Sequence, residues 1–330
     1  MKEYVEQLDN AVNFINSKNN FLIVSHVQPD GDTISSSLAM AHLLEYLGKS
    51  FQLVNGDSLP NKFQFLPMFN QIKSINSITD KKFSNVITID VADKFRAGDI
   101  SPLLNEDVKI LNIDHHPTND NFGDVNLILS TAAATTEVIY DLIQQMKVPL
   151  DKELATCIYT GLLTDTGGFR YSNTTAKVMK IAAQLLEYEI NPGDIAQISL
   201  ETISIGHVNL LKKALQRIEI LENGLLSWTV ITLEDLDESL SNDDTEGIVS
   251  YTRNIEGVEL GILFKQNRDN EIKVSLRSNK IIDVGAIAKS FGGGGHVRAA
   301  GFTYLGTIEK VKEELLAKIK ALKGWSNLEQ

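Results

Sequence analysis

The chain has 330 residues, of which 43% are hydrophobic and 22% are charged, an ordinary globular composition whose length favours two domains. Its formal net charge of −12 argues against a general affinity for long duplex DNA, because proteins that bind duplexes usually carry a basic face. There is no signal-peptide pattern and no apolar run near the ~20 residues that span a bilayer. The single cysteine, Cys157, lies in an apolar helical context that predicts a buried, reduced thiol, so we expect a cytoplasmic protein without a membrane partner.

The first half of the chain alternates apolar strands with helices. The short apolar runs at 21–24 and 51–54 predict buried strands, and the helix between them is ended by Gly48. A strand–helix–strand unit of this kind predicts a parallel sheet. The predicted helices of this half cover residues 4–16, 37–47, 132–146, 152–163 and 175–189.

The second half is richer in β-structure and predicts a smaller α/β domain. The stretch Asn191-Pro192-Gly193-Asp194 breaks the last helix of the first half, and a helix over residues 204–220 is predicted as a connector. After Glu222, β-rich stretches alternate with polar turns. The predicted strands cover 225–233, 258–265 and 272–276, and the predicted helices cover 284–291 and 308–322. The predicted organisation is a first domain at 1–190, a helical linker at 191–222 and a second domain at 223–330.

Four segments of the first half end in side chains that bind metals. The side chains that follow these segments are His26, Asp30 and Asp32; Asp90; Asp114, His115 and His116; and Asp165. The first stretch alone is ambiguous, because Pro-Asp-Gly-Asp is also good turn chemistry. Ligands of open parallel sheets gather beyond the carboxyl ends of the strands, so the four tips are expected to converge on one crevice. Carboxylates and imidazoles without a thiolate favour Mn²⁺ over structural zinc.

Four consecutive glycines at 292–295 precede His296. Such a run is typical of a chain that turns sharply or approaches a ligand closely. Consecutive N–H groups in such a turn can form an anion-binding nest, and Arg277, Ser278 and Arg298 are near enough in sequence to contribute. The alternative is a flexible loop that ends the preceding helix.

The order of these motifs resembles the DHH phosphoesterase superfamily. The matching pattern is His26-x-x-x-Asp30-x-Asp32, then Asp90, then Asp114-His115-His116, then Asp165. The segments 275–278 and 292–296 resemble the DHHA1 substrate domain of one branch, so the resemblance covers nearly the whole chain. The compact two-domain length and the segment 165–171 are most similar to the stand-alone nanoRNase/pAp phosphatases of this superfamily. Ser35 departs from the pattern, since family members often have glycine there.

The resemblance implies an α/β protein with a parallel-sheet DHH domain, a smaller DHHA1 domain and a cleft between them. It also implies two divalent metal ions, Mn²⁺ first with Mg²⁺ or Co²⁺ as alternatives. One ion would be held by His26, Asp30 and Asp90, and the other by Asp32, Asp90, His115 and Asp165, with Asp90 bridging. His116 would face the scissile phosphate, and Asp114 beside it is suited to orient an imidazole. The implied substrate-binding residues are Arg277, Ser278, Gly293, Gly294, Gly295, His296 and Arg298.

The implied activity is hydrolysis of very short oligoribonucleotides (nanoRNA) and of 3′-phosphoadenosine 5′-phosphate (pAp) to mononucleotides. Two alternatives stay open: a phosphodiesterase for the linear dinucleotide pApA, and a nucleotide-binding regulator without catalysis, although no metal ligand is missing. An inorganic pyrophosphatase shares the first-half motifs but carries a different C-terminal domain. A long-strand exonuclease would need a more basic surface. The expected partner is therefore a short oligonucleotide or bis-phosphorylated nucleotide, and a homodimer is compatible with the sequence.

Overall fold

The computed structural model describes residues 2–79, 81–236, 242–322 and 325. The chain divides into two compact units, Met1–Thr202 and Ile203–Gln330. This division falls inside the segment 191–222 that was predicted as a linker. Among the described helices, none combines the length and the apolar character needed to cross a bilayer.

The first unit is built on a six-stranded sheet in which every strand pair is parallel. Its strands are β1 (Phe21–Ser25), β2 (Phe51–Asn55), β3 (Ile72–Ser74), β4 (Phe83–Ile89), β5 (Leu104–Asp114) and β6 (Val125–Ile128). The strand order is β3-β2-β1-β4-β5-β6, so the direction of the chain through the sheet reverses between β1 and β4. In doubly wound sheets the ligand crevice opens at this switch point, beyond the carboxyl ends of the strands.

The helices of this unit form one core with one face of this sheet. They are α1 (Lys2–Ser17), α2 (Gly31–Tyr46), α3 (Thr135–Met146), α4 (Lys152–Asp165), α5 (Ala176–Leu185) and α6 (Pro192–Ala196). The main core forms between these helices and alternate strand residues such as Ile23, Ile87 and Ile113. The strand residues on the other face of the sheet, such as Leu22 and Val86, pack in a smaller core under short 3₁₀ turns.

Helix α2 begins earlier than the sequence predicts. The Asp30 side chain accepts a hydrogen bond from the backbone N–H of Thr33 and caps the helix, so Gly31 and Asp32 lie in its first turn and not in a loop. Gly31 is also closely packed, because a Cβ atom there would lie 2.5 Å from the Thr164 side chain of α4. The motif that looks like a turn is therefore a helix N-terminus directly behind β1.

The second unit contains a mixed six-stranded sheet. Its strands are β7 (Glu219–Leu221), β8 (Leu226–Ile231), β9 (Leu260–Arg268), β10 (Glu271–Ser278), β11 (Gly294–His296) and β12 (Ala299–Leu305). The order is β11-β12-β10-β9-β8-β7; β8 and β9 are parallel, and the other pairs are antiparallel. The helices are α7 (Ile205–Gln216), α8 (Ile248–Arg253), α9 (Val284–Ser290) and α10 (Ile308–Lys320).

The two faces of the second sheet have separate cores. One face packs against α9 and α10, and the other against α7 and α8. The connector helix predicted to reach residue 220 ends at Gln216, because residues 219–221 pair with β8 as an edge strand. The predicted α/β class, with a parallel sheet in the first unit and a second, smaller unit built on its own sheet, is confirmed.

Candidate metal centre and phosphate-binding face

The first predicted ligands lie where β1 runs into α2. His26 is buried, and its Nδ1 lies 2.7 Å from the carbonyl oxygen of Val27. Because a carbonyl only accepts, Nδ1 carries a proton. Burial lowers the pKa of His26, but its hydrogen bond to Asp90 and the charge of that carboxylate outweigh burial and raise the pKa. The Nε2 of His26 lies 2.6 Å from the hydroxyl oxygen of Thr33. Oδ1 of Asp30 accepts hydrogen bonds from the same hydroxyl and from the Thr33 backbone N–H, each at 3.0 Å.

Asp90 lies at the carboxyl end of β4, beside the switch point. Its backbone has a φ of 61°, which is uncommon for a non-glycine residue, and its N–H donates to the carbonyl oxygen of Ile113 at 2.9 Å. Both carboxylate oxygens accept a threonine hydroxyl: Oδ2 from Thr33 at 2.7 Å and Oδ1 from Thr135 at 2.8 Å. The carboxylate is buried and held from two helices at once.

Three imidazoles surround the Asp90 carboxylate. Nε2 of His26 lies 3.3 Å from Oδ2, whereas Nδ1 of His116 and Nε2 of His115 lie 3.5 Å and 3.8 Å from Oδ1. The carboxylate is thus the point at which the motifs of β1, β4 and β5 meet.

Asp32 is bound by the N-terminus of α3. Its Oδ2 accepts the Thr135 N–H at 2.6 Å, and its Oδ1 accepts the N–H and the hydroxyl of Thr136 at 3.1 and 2.9 Å. A helix N-terminus favours a negative charge. Gly161 of α4 makes the close approach possible, since a Cβ there would lie 2.7 Å from Asp32 Oδ1 and 2.4 Å from the Thr136 side chain.

Asp114 orients the second histidine of its motif. It is fully buried at the end of β5, with Oδ1 2.7 Å from His116 Nδ1, and its Oδ2 accepts a 2.6 Å hydrogen bond from Asn119. A carboxylate at this distance keeps the proton on Nδ1 and leaves Nε2 for other contacts.

His115 is oriented by a backbone carbonyl and faces the acidic end of α4. Its Nδ1 lies 3.2 Å from the carbonyl oxygen of Ala132, and its Nε2 lies 3.3 Å from Oδ2 of Asp165. Asp165 is the last residue of α4, and its backbone carbonyl accepts a hydrogen bond from Asn173 at 3.1 Å. Asp165, the residue that ends the fourth predicted segment, therefore contacts the site through His115.

The ligand atoms of these side chains are suited to a divalent cation. Within the first unit, ligand atoms lie within 4.8 Å of one another in the sets His26, Asp30 and Asp90; Asp32, Asp90 and His115; and Asp90, Asp114 and His116. Asp90 belongs to all three sets, the position that a bridging ligand would take. Carboxylate oxygens and imidazole Nε2 atoms whose other nitrogen is anchored are the ligands that Mn²⁺ and similar cations accept.

The carboxylates of the site share an excess of negative charge. Burial, and then the charges of Asp90 and Asp30, raise the pKa of Asp32 well above its usual range, and burial with Asp32 and other carboxylates does the same for Asp165. Burial also opposes ionisation of Asp90, but its hydrogen bond to His26 and the nearby imidazoles hold its pKa well below the usual range. A group of carboxylates that cannot all ionise together is suited to a cation.

The neighbours of His116 stabilise its protonated form. Burial lowers the pKa of His116, but the hydrogen bond to Asp114 and the charge of Asp90 outweigh it and raise the pKa to about 9. At neutral pH its imidazole is therefore protonated, so both ring nitrogens are donors.

The glycine run in the second unit forms an edge strand, not a nest. Gly292 has a φ of 78° and ends α9, and residues 294–296 pair with β12. Successive N–H groups of a strand point in opposite directions, so those of residues 294–296 cannot converge on one anion. The run is needed for packing: a Cβ at Gly293 would lie 2.2 Å from the carbonyl oxygen of Gly301, and one at Gly295 would lie 2.6 Å from that of Ala299.

Arg277 and His296 share one face of the second sheet. Arg277 on β10 and His296 on β11 both pair with Ala299 of β12, so the three residues form one row across the strands. Side chains of directly paired residues project to the same side, and two strand spacings separate the ends of the row by about 9–10 Å. These two candidates are therefore brought together.

Ser278 and Arg298 are turned the other way. The Ser278 hydroxyl is buried and donates to the Ile282 carbonyl oxygen at 2.6 Å. The Arg298 guanidinium donates to the carbonyl oxygens of Ile282, at 2.7 Å, and Lys280. These groups hold the loop after β10, and their contact with a phosphate stays a prediction.

Sequence reasoning missed the residues that hold the ligands. Thr33, Thr135, Thr136 and Asn119 donate to the carboxylates, and Gly161 gives them space. A usable signal existed only for the Thr135-Thr136 pair, because threonines at the start of a predicted helix suggest free backbone N–H groups.

Comparison with known proteins finds two family models that match the chain. Residues 20–162 match the DHH family, N-terminal domain, and residues 226–323 match the DHHA1 domain. A Thermus thermophilus protein named bifunctional oligoribonuclease and PAP phosphatase NrnA is 33% identical over 303 residues, 89% of each chain. The Bacillus subtilis protein of the same name is 28% identical over 288 residues, covering 84% of this chain and 86% of that one.

A solved structure shares the whole fold. The crystal structure of an exopolyphosphatase-related protein from Bacteroides fragilis superimposes with a TM-score of 0.87 at 26% identity, covering 98% of both chains. Both family domains, in the order found here, and a relative above 30% identity across most of the chain lead to one conclusion. The chain belongs to the DHH phosphoesterases and consists of a DHH domain followed by a DHHA1 domain.

Proposed function

We propose that the protein is a divalent-metal-dependent phosphoesterase that hydrolyses nanoRNA and pAp to mononucleotides. The observation that carries the proposal is the convergence of the three ligand sets on Asp90. Relatives named oligoribonuclease and PAP phosphatase support the choice of substrate. One cation would be held by His26, Asp30 and Asp90, and the other by Asp32, Asp90, His115 and Asp165.

The side chains around the cations have separate tasks. When bound, divalent cations neutralise the phosphoryl oxygens and lower the pKa of the attacking water. His116, held by Asp114 and protonated at neutral pH, donates from Nε2 to an oxygen of the scissile phosphate. Asp114 keeps the ring in the orientation that presents Nε2.

The second unit contributes the anchor for the substrate. Arg277 can bind a phosphate through two parallel N–H donors, and His296 lies in the same row of the sheet. An anchor of this kind positions the reacting phosphate by binding a different part of the substrate. Such an anchor predicts a preference for substrates that carry a second phosphate or a base.

Mn²⁺ is our proposal for the metal, because the ligands combine carboxylates and imidazoles without a thiolate. We also propose the cytoplasm as the compartment. Burial raises the pKa of the Cys157 thiol, and this cysteine is free, which fits a reducing environment.

A substrate panel tests the proposed function. Purified protein is assayed with Mn²⁺ on pAp, pApA and RNAs of two to twenty nucleotides, and release of mononucleotides is measured by chromatography. We expect hydrolysis of pAp and of the shortest RNAs, a steep fall in rate with length, and loss of activity in EDTA that added Mn²⁺ restores.

Two outcomes would contradict the proposal. Equal rates on two-mers and twenty-mers would indicate a long-strand exonuclease. Binding of pAp without turnover under any divalent metal would indicate a regulator that uses the fold without the chemistry.

A further inference from the structure

The Thr33 hydroxyl contacts every side chain proposed to hold the first cation. It is fully buried, and its oxygen lies 2.6 Å from His26 Nε2, 3.0 Å from Asp30 Oδ1 and 2.7 Å from Asp90 Oδ2. These are the three side chains of one candidate ligand set. Thr33 lies in the first turn of α2, and the residue four positions earlier precedes the helix, so the hydroxyl contacts the ligands instead of a helical carbonyl.

The Thr33 hydroxyl is the group on which these three side chains converge. Its single proton serves one carboxylate at a time, Asp90 at 2.7 Å or Asp30 at 3.0 Å, while His26 Nε2 contacts the same oxygen. Asp30 depends most on the Thr33 hydroxyl. It is an exposed residue, and its Oδ1 accepts hydrogen bonds from both the backbone N–H and the hydroxyl of Thr33. Without the hydroxyl, neighbouring carboxylates repel each other and Asp30 can turn into water.

We propose that Thr33 is a positioning residue that assembles the first cation site before a cation binds. This inference rests on the proposed cation site. Thr33 holds Asp30 and Asp90 beside His26, so the cation meets three ligands that are already in place. The hydrogen bond from the Thr33 backbone N–H to Asp30 is part of the helix cap, and the Thr33 hydroxyl is the group that positions the ligands.

The test measures Mn²⁺ affinity in the absence of substrate. Metal-free protein is titrated with Mn²⁺, and the free ion is counted by electron paramagnetic resonance. Thr33→Val keeps the shape and loses the hydroxyl, and we expect weaker binding at one site by roughly 10–100-fold, the effect of removing a group that orients a ligand. Thr33→Ser restores the hydroxyl and should restore wild-type affinity.

Thr160→Val is the matched control. Thr160 is a fully buried helix residue whose hydroxyl donates only to a backbone carbonyl, that of Thr156 at 2.8 Å. A loss of affinity in Thr160→Val as large as in Thr33→Val would assign the effect to general loosening of the fold. If Thr33→Val does not fold, Thr33→Ala is compared with Thr33→Ser in the same titration.

The remaining outcomes separate this inference from the proposed function. Unchanged or tighter Mn²⁺ binding by Thr33→Val overturns the role of Thr33, and tighter binding would show that the hydroxyl competes with the cation. Equal losses in Thr33→Val and Thr33→Ser would assign the effect to side-chain shape. Failure of the wild-type protein to bind Mn²⁺ would instead overturn the cation site itself.

Discussion

Backbone carbonyls decide which nitrogen of two histidines faces the centre of the site. Nδ1 of His26 lies against the Val27 carbonyl, and Nδ1 of His115 lies against that of Ala132. Each Nδ1 therefore carries a proton, and each Nε2 faces a carboxylate of the site. The fold sets the tautomer of both candidate ligands before any cation binds.

In the second unit, the neighbours of Asp235 stabilise its ionised form. Burial raises the pKa of Asp235, but hydrogen bonds from Arg217 and Thr232 outweigh it and hold the pKa well below its usual range. A carboxyl group with a depressed folded-state pKa contributes stability above its unfolded-state pKa, about 3.9, and loses it as the pH falls toward the folded-state value.

Asp235→Asn should therefore destabilise the second unit in a pH-dependent way. Because Arg217 is partly exposed, we expect a loss of about 1–2 kcal/mol in the free energy of unfolding at pH 7, and a smaller loss below pH ~4. Both tryptophans, Trp228 and Trp325, lie in this unit, so urea unfolding followed by tryptophan fluorescence measures it. Asp269→Asn, at an exposed position, is the control, and an equal, pH-independent loss in both variants would contradict the prediction.

The sequence predicts the ligands of the site better than their supports. His26, Asp90 and Asp114 each follow or end an apolar strand, which is a local pattern. Thr33 and Thr135 support Asp90 across sequence separations of 57 and 45 residues, and no local pattern carries that information. Arg277 and Ser278 are adjacent in sequence, but alternate residues of β10 face opposite sides of the sheet, so their side chains project in opposite directions.

At the level of elements, the site depends on how closely three helices approach one another. The N-terminus of α3 binds Asp32 of α2, and α4 passes directly beside this contact. The boundaries that the sequence predicted wrongly are those decided by such contacts. The start of α2 is set by an Asp30 side chain in an apparent turn, and β11 is a strand because β12 lies beside it.

Gly161→Ala should separate these helices. The added Cβ would meet the Thr136 side chain at 2.4 Å and Asp32 Oδ1 at 2.7 Å, distances that require the buried groups to move. Overpacking of this kind costs about 1–3 kcal/mol. We expect faster hydrogen–deuterium exchange in peptides from α2, α3 and α4, measured by mass spectrometry, together with weaker Mn²⁺ binding.

Gly193→Ala is the control for that substitution. Gly193 is an exposed helical residue whose added Cβ would meet only the Asn191 side-chain oxygen, at 3.4 Å. It should leave exchange in the three helices unchanged. If Gly161→Ala also left exchange and Mn²⁺ binding unchanged, the close approach of α4 would have no part in holding Asp32.

At the scale of the whole molecule, the two units carry different chemistry. The first unit brings five carboxylates and three imidazoles together, and the second presents Arg277 and His296 in one row of a sheet. A net charge of −12 is compatible with an anionic substrate, because the proposed cations and the Arg277 side chain would supply positive charge to its phosphates. We therefore expect the first unit to perform hydrolysis and the second to select what is hydrolysed.

The most direct test of this division compares pAp with p-nitrophenyl phosphate, a monoester without a second phosphate, at saturating Mn²⁺. Asp90→Ala should reduce kcat/KM for both substrates to the level of the metal-free protein. Arg277→Ala and His296→Ala should lose roughly 10²-fold or more on pAp and little on p-nitrophenyl phosphate, because only pAp uses the anchor. Near wild-type turnover by Asp90→Ala, or equal losses on both substrates in the Arg277 and His296 variants, would contradict the account.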